Sequence, residues 1–94
     1  MYAAKTEAAK AVAAIEDRLR QIVVSSLRLS KHAEEIKGLD LIAELGVTSI
    51  DALEILINVE MEFGIEIPDE DLNVGLVASL TNLATYVEQR RPAA

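Results

Sequence analysis

The sequence predicts an all-α fold: a small four-helix bundle of three longer helices and one short one, with a long loop between the first two longer helices. Three observations lead there. Aliphatic residues recur at spacings of three and four in three separate stretches, the periodicity of helices with one buried face. Helix-starting residues, Thr48 or Ser49 and then Ser79, stand at the head of two of those stretches. The one strand-like alternation, Ile65-Glu66-Ile67, is cut short by Pro68, which removes a backbone donor.

Residues 3–14 are mostly alanine with Lys5, Glu7 and Lys10, a composition of high helix propensity with little to bury. They read as a lead-in to the first helix or as extra turns of it. Val12, Ile15, Leu19, Ile22, Val23 and Leu27 then share one helical face. The stretch LRLSKHAEEIKGLDLIAELG, broken by Ser30 and Gly38 and ended by Gly46, reads as a partly ordered connection. Its apolar residues Ile36, Leu41, Ile42 and Leu45 are expected to fold back onto the core; connections of this length are often functional.

The second long helix starts after Gly46-Val47 with Thr48 or Ser49 as cap, in a Thr48-Ser49-Ile50-Asp51 run resembling a capping box, and stops before Gly64. Its apolar residues Ile50, Leu53, Leu56, Ile57 and Phe63 are too many for one narrow stripe, so part of that surface faces outward near the helix start. After a loop comes a short helix near Asp69–Leu72. The last helix is capped by Ser79, carries Leu80, Leu83 and Val87 inward, and ends before Pro92. One domain over residues 15–90 follows, with 1–14 as an alanine-rich extension and 91–94 as a tail.

Size and composition narrow the function. A chain of 94 residues with 51% hydrophobic and 3% aromatic positions makes a thin aliphatic core, with little wall for a catalytic cleft. Without cysteine there is no disulfide, thiolate zinc site or intrinsic thiol nucleophile. The N-terminus has no apolar signal region, and no apolar run approaches the ~18 residues of a membrane span. The expectation is a soluble, cytoplasmic monomer, and Met1 points to a free-standing protein.

A net charge of -7 disfavours nucleic acid, whose phosphates are bound by basic surfaces. The charge is also unevenly placed: residues 39–89 hold eleven acids and no base, which suits docking to basic partners. His32, the single histidine, sits beside Lys31 and has no triad around it. The abundant carboxylates lack a pocket that would push two of their pKa values apart for acid/base work. Asp69, Asp71 and Asn73 begin like a calcium loop, but Val74 and Leu80 stand where glycine and a bidentate glutamate are needed, so no metal is expected.

What remains is the segment LGVTSIDALEI. It presents a hydroxyl at a helix N-terminus, whose unpaired N–H groups and partial positive charge favour phosphate. Leu53 and Ile57 lie beside it, interleaved with Asp51 and Glu54, and no base is near. On these grounds the Ser49 hydroxyl is a candidate to bear a phosphodiester.

At these residues the sequence resembles the acyl carrier proteins. Leu45-Gly46-Val47-Thr48-Ser49-Ile50, followed by Asp51 and Glu54, is similar to the family's Leu-Gly and Asp-Ser-Leu run at the start of its second helix. FGIEIPDED from Phe63 to Asp71 matches its turn into helix three, and IEDRLRQIV from Ile15 to Val23 its first helix. The resemblance runs from about Ile15 to Val87.

It implies 4'-phosphopantetheine on Ser49, transferred from coenzyme A by a phosphopantetheinyl transferase, and a non-catalytic carrier whose acyl groups are held as thioesters for fatty-acid or polyketide-type biosynthesis. It further implies that Thr48, Ile50, Asp51, Leu53, Glu54 and Ile57 are read by acyltransferase, ketosynthase or other enzymes with basic docking surfaces. Leu56, Ile67, Leu72 and Val77 would line the entry of an acyl chain. Thr48 departs from the family's aspartate, and the segment from Asp71 to Ser79 is about two residues longer than the family pattern. Both departures point to a specialised carrier. The alternatives are a peptidyl or aminoacyl carrier, with the same attachment chemistry, and an unmodified acidic interaction module in which Ser49 only caps its helix.

Acids crowded after residue 38 repel one another, so added salt or magnesium is expected to raise the melting temperature. A melting temperature indifferent to both would contradict this reading of the charge.

Overall fold

The computed structural model describes residues 3–91, which form α1 (Ala3–Leu27), α2 (Leu41–Leu45), α3 (Ser49–Phe63), α4 (Val74–Val77) and α5 (Leu80–Arg90). Single 3-10 turns occupy Ala33–Glu35 and Asp69–Asp71, and no strand occurs among the described residues. The alanine-rich lead-in is the start of α1, which runs unbroken from Ala3. The tail expected over 91–94 lies, beyond Arg91, outside the described residues. No described helix is long and apolar enough to cross a membrane.

The three long helices are the expected ones; the short elements differ. Asp69–Asp71 makes only a 3-10 turn, and the short helix starts later, at Val74. The reason is the cap: Asn73 Oδ1 accepts the Leu76 N–H at 3.2 Å, whereas Pro68 offers no side-chain acceptor. A second short helix, α2, forms inside the long connection. Asp40 Oδ1 caps it by accepting the Ala43 N–H at 3.3 Å, and Gly46 ends it at φ 69°.

The core is built where the inner faces of the long helices meet. α1 contributes Ile15, Leu19 and Val23, α3 contributes Ala52, Ile55, Leu56 and Val59, and α5 contributes Leu80, Leu83, Ala84 and Val87. Each fully buried Leu, Ile or Val stabilises by roughly 1.5–3 kcal/mol. By contrast the Arg18–Glu62 ion pair joining α1 to α3 is surface-exposed, and such pairs contribute about 0–1 kcal/mol. Aliphatic packing therefore holds the helices together.

The connection folds back as expected at Ile36 and Leu41, which are buried, and at Leu45, which packs against the core. Ile42 is a correction: it is 38% exposed. Neighbouring residues of a helix point about 100° apart, and Leu41 and Leu45, one turn apart, take the inward face of α2.

Hydrogen bonds clasp this connection to α1, to α5 and to the junction between α4 and α5. Arg20 Nε of α1 donates to the Ile36 carbonyl at 2.8 Å, the Leu80 N–H donates to the Gly38 carbonyl at 2.9 Å, and the Leu41 N–H donates to the Ala78 carbonyl at 2.7 Å. The Glu44 carboxylate of α2 accepts the N–H groups of Lys37 at 2.8 Å and Gly38 at 3.0 Å. Burial raises the Glu44 pKa, but these two N–H groups, with the charges of Lys31 and Lys37, outweigh it and hold the pKa below its ordinary value.

Gly38 is buried at φ 81°, and a Cβ there would stand 2.8 Å from Leu80 Cγ and 2.9 Å from Leu80 Cβ. Gly64 has a similar φ of 67° but nothing within 4 Å. Gly38→Ala is expected to cost roughly 3 kcal/mol, from a left-handed backbone penalty of about 1–2 kcal/mol plus overpacking. Gly64→Ala carries only the backbone penalty. Urea denaturation compares the two, and equal losses would contradict the close seating of the connection on α5.

Candidate functional site

The site is made by the turn from α2 into α3. Gly46 takes the left-handed conformation, Val47 buries its side chain in the core, and Thr48 is extended at φ -90° and ψ 172°. Thr48 Oγ1 accepts the Asp51 N–H at 3.1 Å, and Asp51 Oδ2 accepts the Thr48 N–H at 3.1 Å. This is the reciprocal capping box, with Asp51 in the place more often held by glutamate.

Of the two candidate caps, Thr48 is therefore the one used. Ser49 becomes the first residue inside the helix, and it is exposed. Its hydroxyl has no hydrogen-bond partner among the described residues, which overturns the reading of Ser49 as merely a cap. The first intrahelical bond runs from the Ala52 N–H to the Thr48 carbonyl at 2.9 Å. With the Asp51 N–H held by Thr48, the N–H groups of Ser49 and Ile50 have no partner among the described residues, beside the free hydroxyl. Such unpaired groups, at the positive end of a helix of 15 residues, attract anionic oxygen.

The outward face of α3 continues from this end. Ile50, Leu53 and Ile57 are 77%, 46% and 44% exposed, and Met61, which prediction from sequence omitted, is 77% exposed. Spacings of three, four and four put all four on one stripe. Met61 was within reach of the same rule, one turn beyond Ile57. Leu39 and Ile42 are also exposed, so every strongly exposed large aliphatic among the described residues falls between 39 and 61.

Glu54 is exposed on α3 and makes no hydrogen bond or ion pair among the described residues. Other acids of the segment are used internally: Glu60 Oε2 accepts the Ile67 N–H at 2.7 Å, and Glu62 pairs with Arg18, whose guanidinium lies 5.2 Å from the Phe63 ring centre. No spacing rule flags such clasps, because each joins a helix to a loop N–H or to another helix.

The four expected lining residues lie in or against the core. Leu56, Val77 and Ile67 are buried, and Leu72 is half-buried against them. An open groove of about 500 Å³ between α1 and α3 involves none of them; Arg18, Ile22, Asn58 and Met61 are among its walls. Near Leu72 the 3-10 turn is latched to α5, where the Tyr86 hydroxyl donates to Asp71 Oδ2 at 2.8 Å and Arg90 stacks 4.3 Å over the Tyr86 ring. Burial, and then the bond to Asp71, raises the Tyr86 pKa. His32 is exposed in the connection, its N–H donating to Glu35 Oε1 at 2.9 Å.

Two comparisons bear on this site. A family model described as "Phosphopantetheine attachment site" matches residues 17–87. An acyl carrier protein of Campylobacter hominis is 33% identical over 72 residues, which cover 77% of this chain and 87% of the relative.

Because Thr48 does the capping, Thr48→Ala is expected to cost about 1 kcal/mol, while Ser49→Ala changes stability by less than about 0.5 kcal/mol. Chemical denaturation of the two variants measures the difference. A larger loss at Ser49 would contradict the assignment of the cap.

Proposed function

Because the chain belongs to the acyl carrier protein family, we propose that it carries acyl groups on a 4'-phosphopantetheine arm covalently attached at Ser49. The observation that carries this reading is the Ser49 hydroxyl on the first residue of α3, which, like the N–H groups of Ser49 and Ile50 next to it, has no partner among the described residues. These residues fit the group: the hydroxyl is exposed for esterification, and a helix N-terminus suits the resulting phosphodiester. When bound, the arm supplies the thiol that this cysteine-free chain lacks, on which an acyl group is held as a thioester.

The chain's own residues orient and address that arm. Thr48 and Asp51 hold the turn, and Val47 anchors it to the core. Ile50, Leu53 and Ile57 offer an apolar stripe with Glu54 beside it, complementary to enzymes with basic-rimmed surfaces such as acyltransferases and ketosynthases. Leu56, Ile67, Leu72 and Val77 form the aliphatic side at which an acyl chain enters the bundle. The acyl groups belong to fatty-acid or polyketide-type synthesis, and the threonine at 48 and the long helical extension before residue 15 favour a dedicated pathway.

Intact-mass measurement after incubation with coenzyme A, magnesium and a broad-specificity phosphopantetheinyl transferase tests the reading. One adduct on the unsubstituted chain and none on Ser49→Ala is expected. No adduct with any transferase would contradict it, and amino-acid loading by an adenylating enzyme would favour a peptidyl carrier instead.

A further inference from the structure

Leu56, Ile67, Leu72 and Val77 form the wall proposed above for an acyl chain, and the groove of about 500 Å³ between α1 and α3 involves none of them. Packed in or against the core as they are, they admit a chain only when one of them moves aside. Three of the four are fixed. Leu56 lies on the buried face of α3, and Val77 is buried in α4, beyond which the Ala78 carbonyl accepts the Leu41 N–H at 2.7 Å. Ile67 is buried, and its N–H is held by Glu60 Oε2 at 2.7 Å.

Leu72 is the exception, half-buried just after the 3-10 turn of Asp69–Asp71. The backbone bonds of that turn are local: the Asp71 N–H donates to the Pro68 carbonyl at 2.9 Å and the Leu72 N–H to the Asp69 carbonyl at 3.1 Å. One side chain ties it to a long helix. The Tyr86 hydroxyl of α5 donates to Asp71 Oδ2 at 2.8 Å; Arg90, one turn further along, lies 3.7 Å from the same oxygen and stacks 4.3 Å over the Tyr86 ring. Among the described residues, no other hydrogen bond or ion pair joins residues 68–72 to anything beyond Asn73. The Asp71 and Arg90 side chains are 35% and 42% exposed, so water competes for this latch and it opens reversibly.

We propose that the bond from Tyr86 to Asp71, backed by Arg90, sets which acyl chains the bundle shelters: closed, it seats Leu72 in the wall, and open, it lets a long aliphatic chain take the place of Leu72. The inference rests on the proposed acyl-carrying role and names the residues that give it chain-length selectivity. Ile67, held by Glu60, and Asn73, which caps α4, are the fixed ends between which the turn moves. An aliphatic chain gains burial with each methylene, so an octanoyl group displaces Leu72 where an acetyl group does not. Opening breaks a hydrogen bond to a charged acceptor, and sheltering is weakened in proportion to the fraction of molecules that remain closed. Loss of the latch therefore strengthens the sheltering of long chains, whereas loss of a merely structural bond would loosen the bundle and weaken it.

Hydroxylamine cleavage of the thioester, on chains loaded by a transferase from octanoyl- or acetyl-coenzyme A, reads the sheltering. Octanoyl cleavage is expected to be about fivefold slower in Tyr86→Phe than in the unsubstituted chain, with acetyl cleavage unchanged. Asp71→Ala is expected to match Tyr86→Phe and serves in its place where that variant does not fold. Asp71→Asn keeps an acceptor for the Tyr86 hydroxyl and stays near the unsubstituted rate. Equal or faster octanoyl cleavage in folded Tyr86→Phe would overturn the latch, as would an equal slowing of acetyl cleavage. In the unloaded chain the Leu72 amide is expected to exchange about fivefold faster in Tyr86→Phe, with the Ile67 amide unchanged. An unchanged Leu72 amide would overturn the latch whatever Ser49 carries, while absence of any adduct on the unsubstituted chain would overturn the attachment reading, and the selectivity with it.

Discussion

The site depends on one pair of hydrogen bonds, from the Asp51 N–H to Thr48 Oγ1 and from the Thr48 N–H to Asp51 Oδ2, each 3.1 Å. A helix must satisfy its first N–H groups somehow, and the nearest polar side chain commonly does it. Two adjacent hydroxyls, Thr48 and Ser49, compete for the work at the start of α3. Val47, buried in the core, and Gly46, left-handed at φ 69°, set where the helix begins, so the earlier hydroxyl caps and the later one is carried one residue into the helix. On the proposed reading, Ser49 is open to attachment because the fold gives it no structural duty.

α3 has to serve two surfaces at once. Ala52, Ile55, Leu56 and Val59 bury one face, and Ile50, Leu53, Ile57 and Met61 leave the opposite face apolar and open. A chain this small gives up apolar burial by doing so, and offsets it with clasps that hold short segments in place. Glu44 fastens the connection before α2, Glu60 the loop after α3, and Asp71 the turn before α4 through Tyr86. Six of the eleven acids between residues 39 and 89 are thus tied internally, and on α3 Glu54 alone makes no hydrogen bond or ion pair among the described residues.

The long helices were legible because each repeats an aliphatic residue every three or four positions and two begin with a capping residue. The capping box was legible for the same local reason, although the choice between Thr48 and Ser49 was not: it turns on Val47 and Gly46, which are set by packing. The short elements were misplaced because a helix of four or five residues has no period to read, and the Asn73 cap outweighed the Pro68-Asp69 start. Ile42 reads as inward from the sequence because apolarity alone cannot tell which of two neighbours faces the core. Clasps such as Glu44 to Lys37 and Gly38 left no local trace.

Amide hydrogen exchange at the start of α3 tests the central claim most directly, namely that the fold engages Thr48 and Asp51 and leaves Ser49 free. In the unmodified chain the Thr48 and Asp51 amides are expected to exchange slowly and those of Ser49 and Ile50 rapidly; after attachment of the arm, the latter two become protected. A Ser49 amide already protected before attachment, or a Thr48 amide that exchanges as fast as its neighbours, would contradict the account.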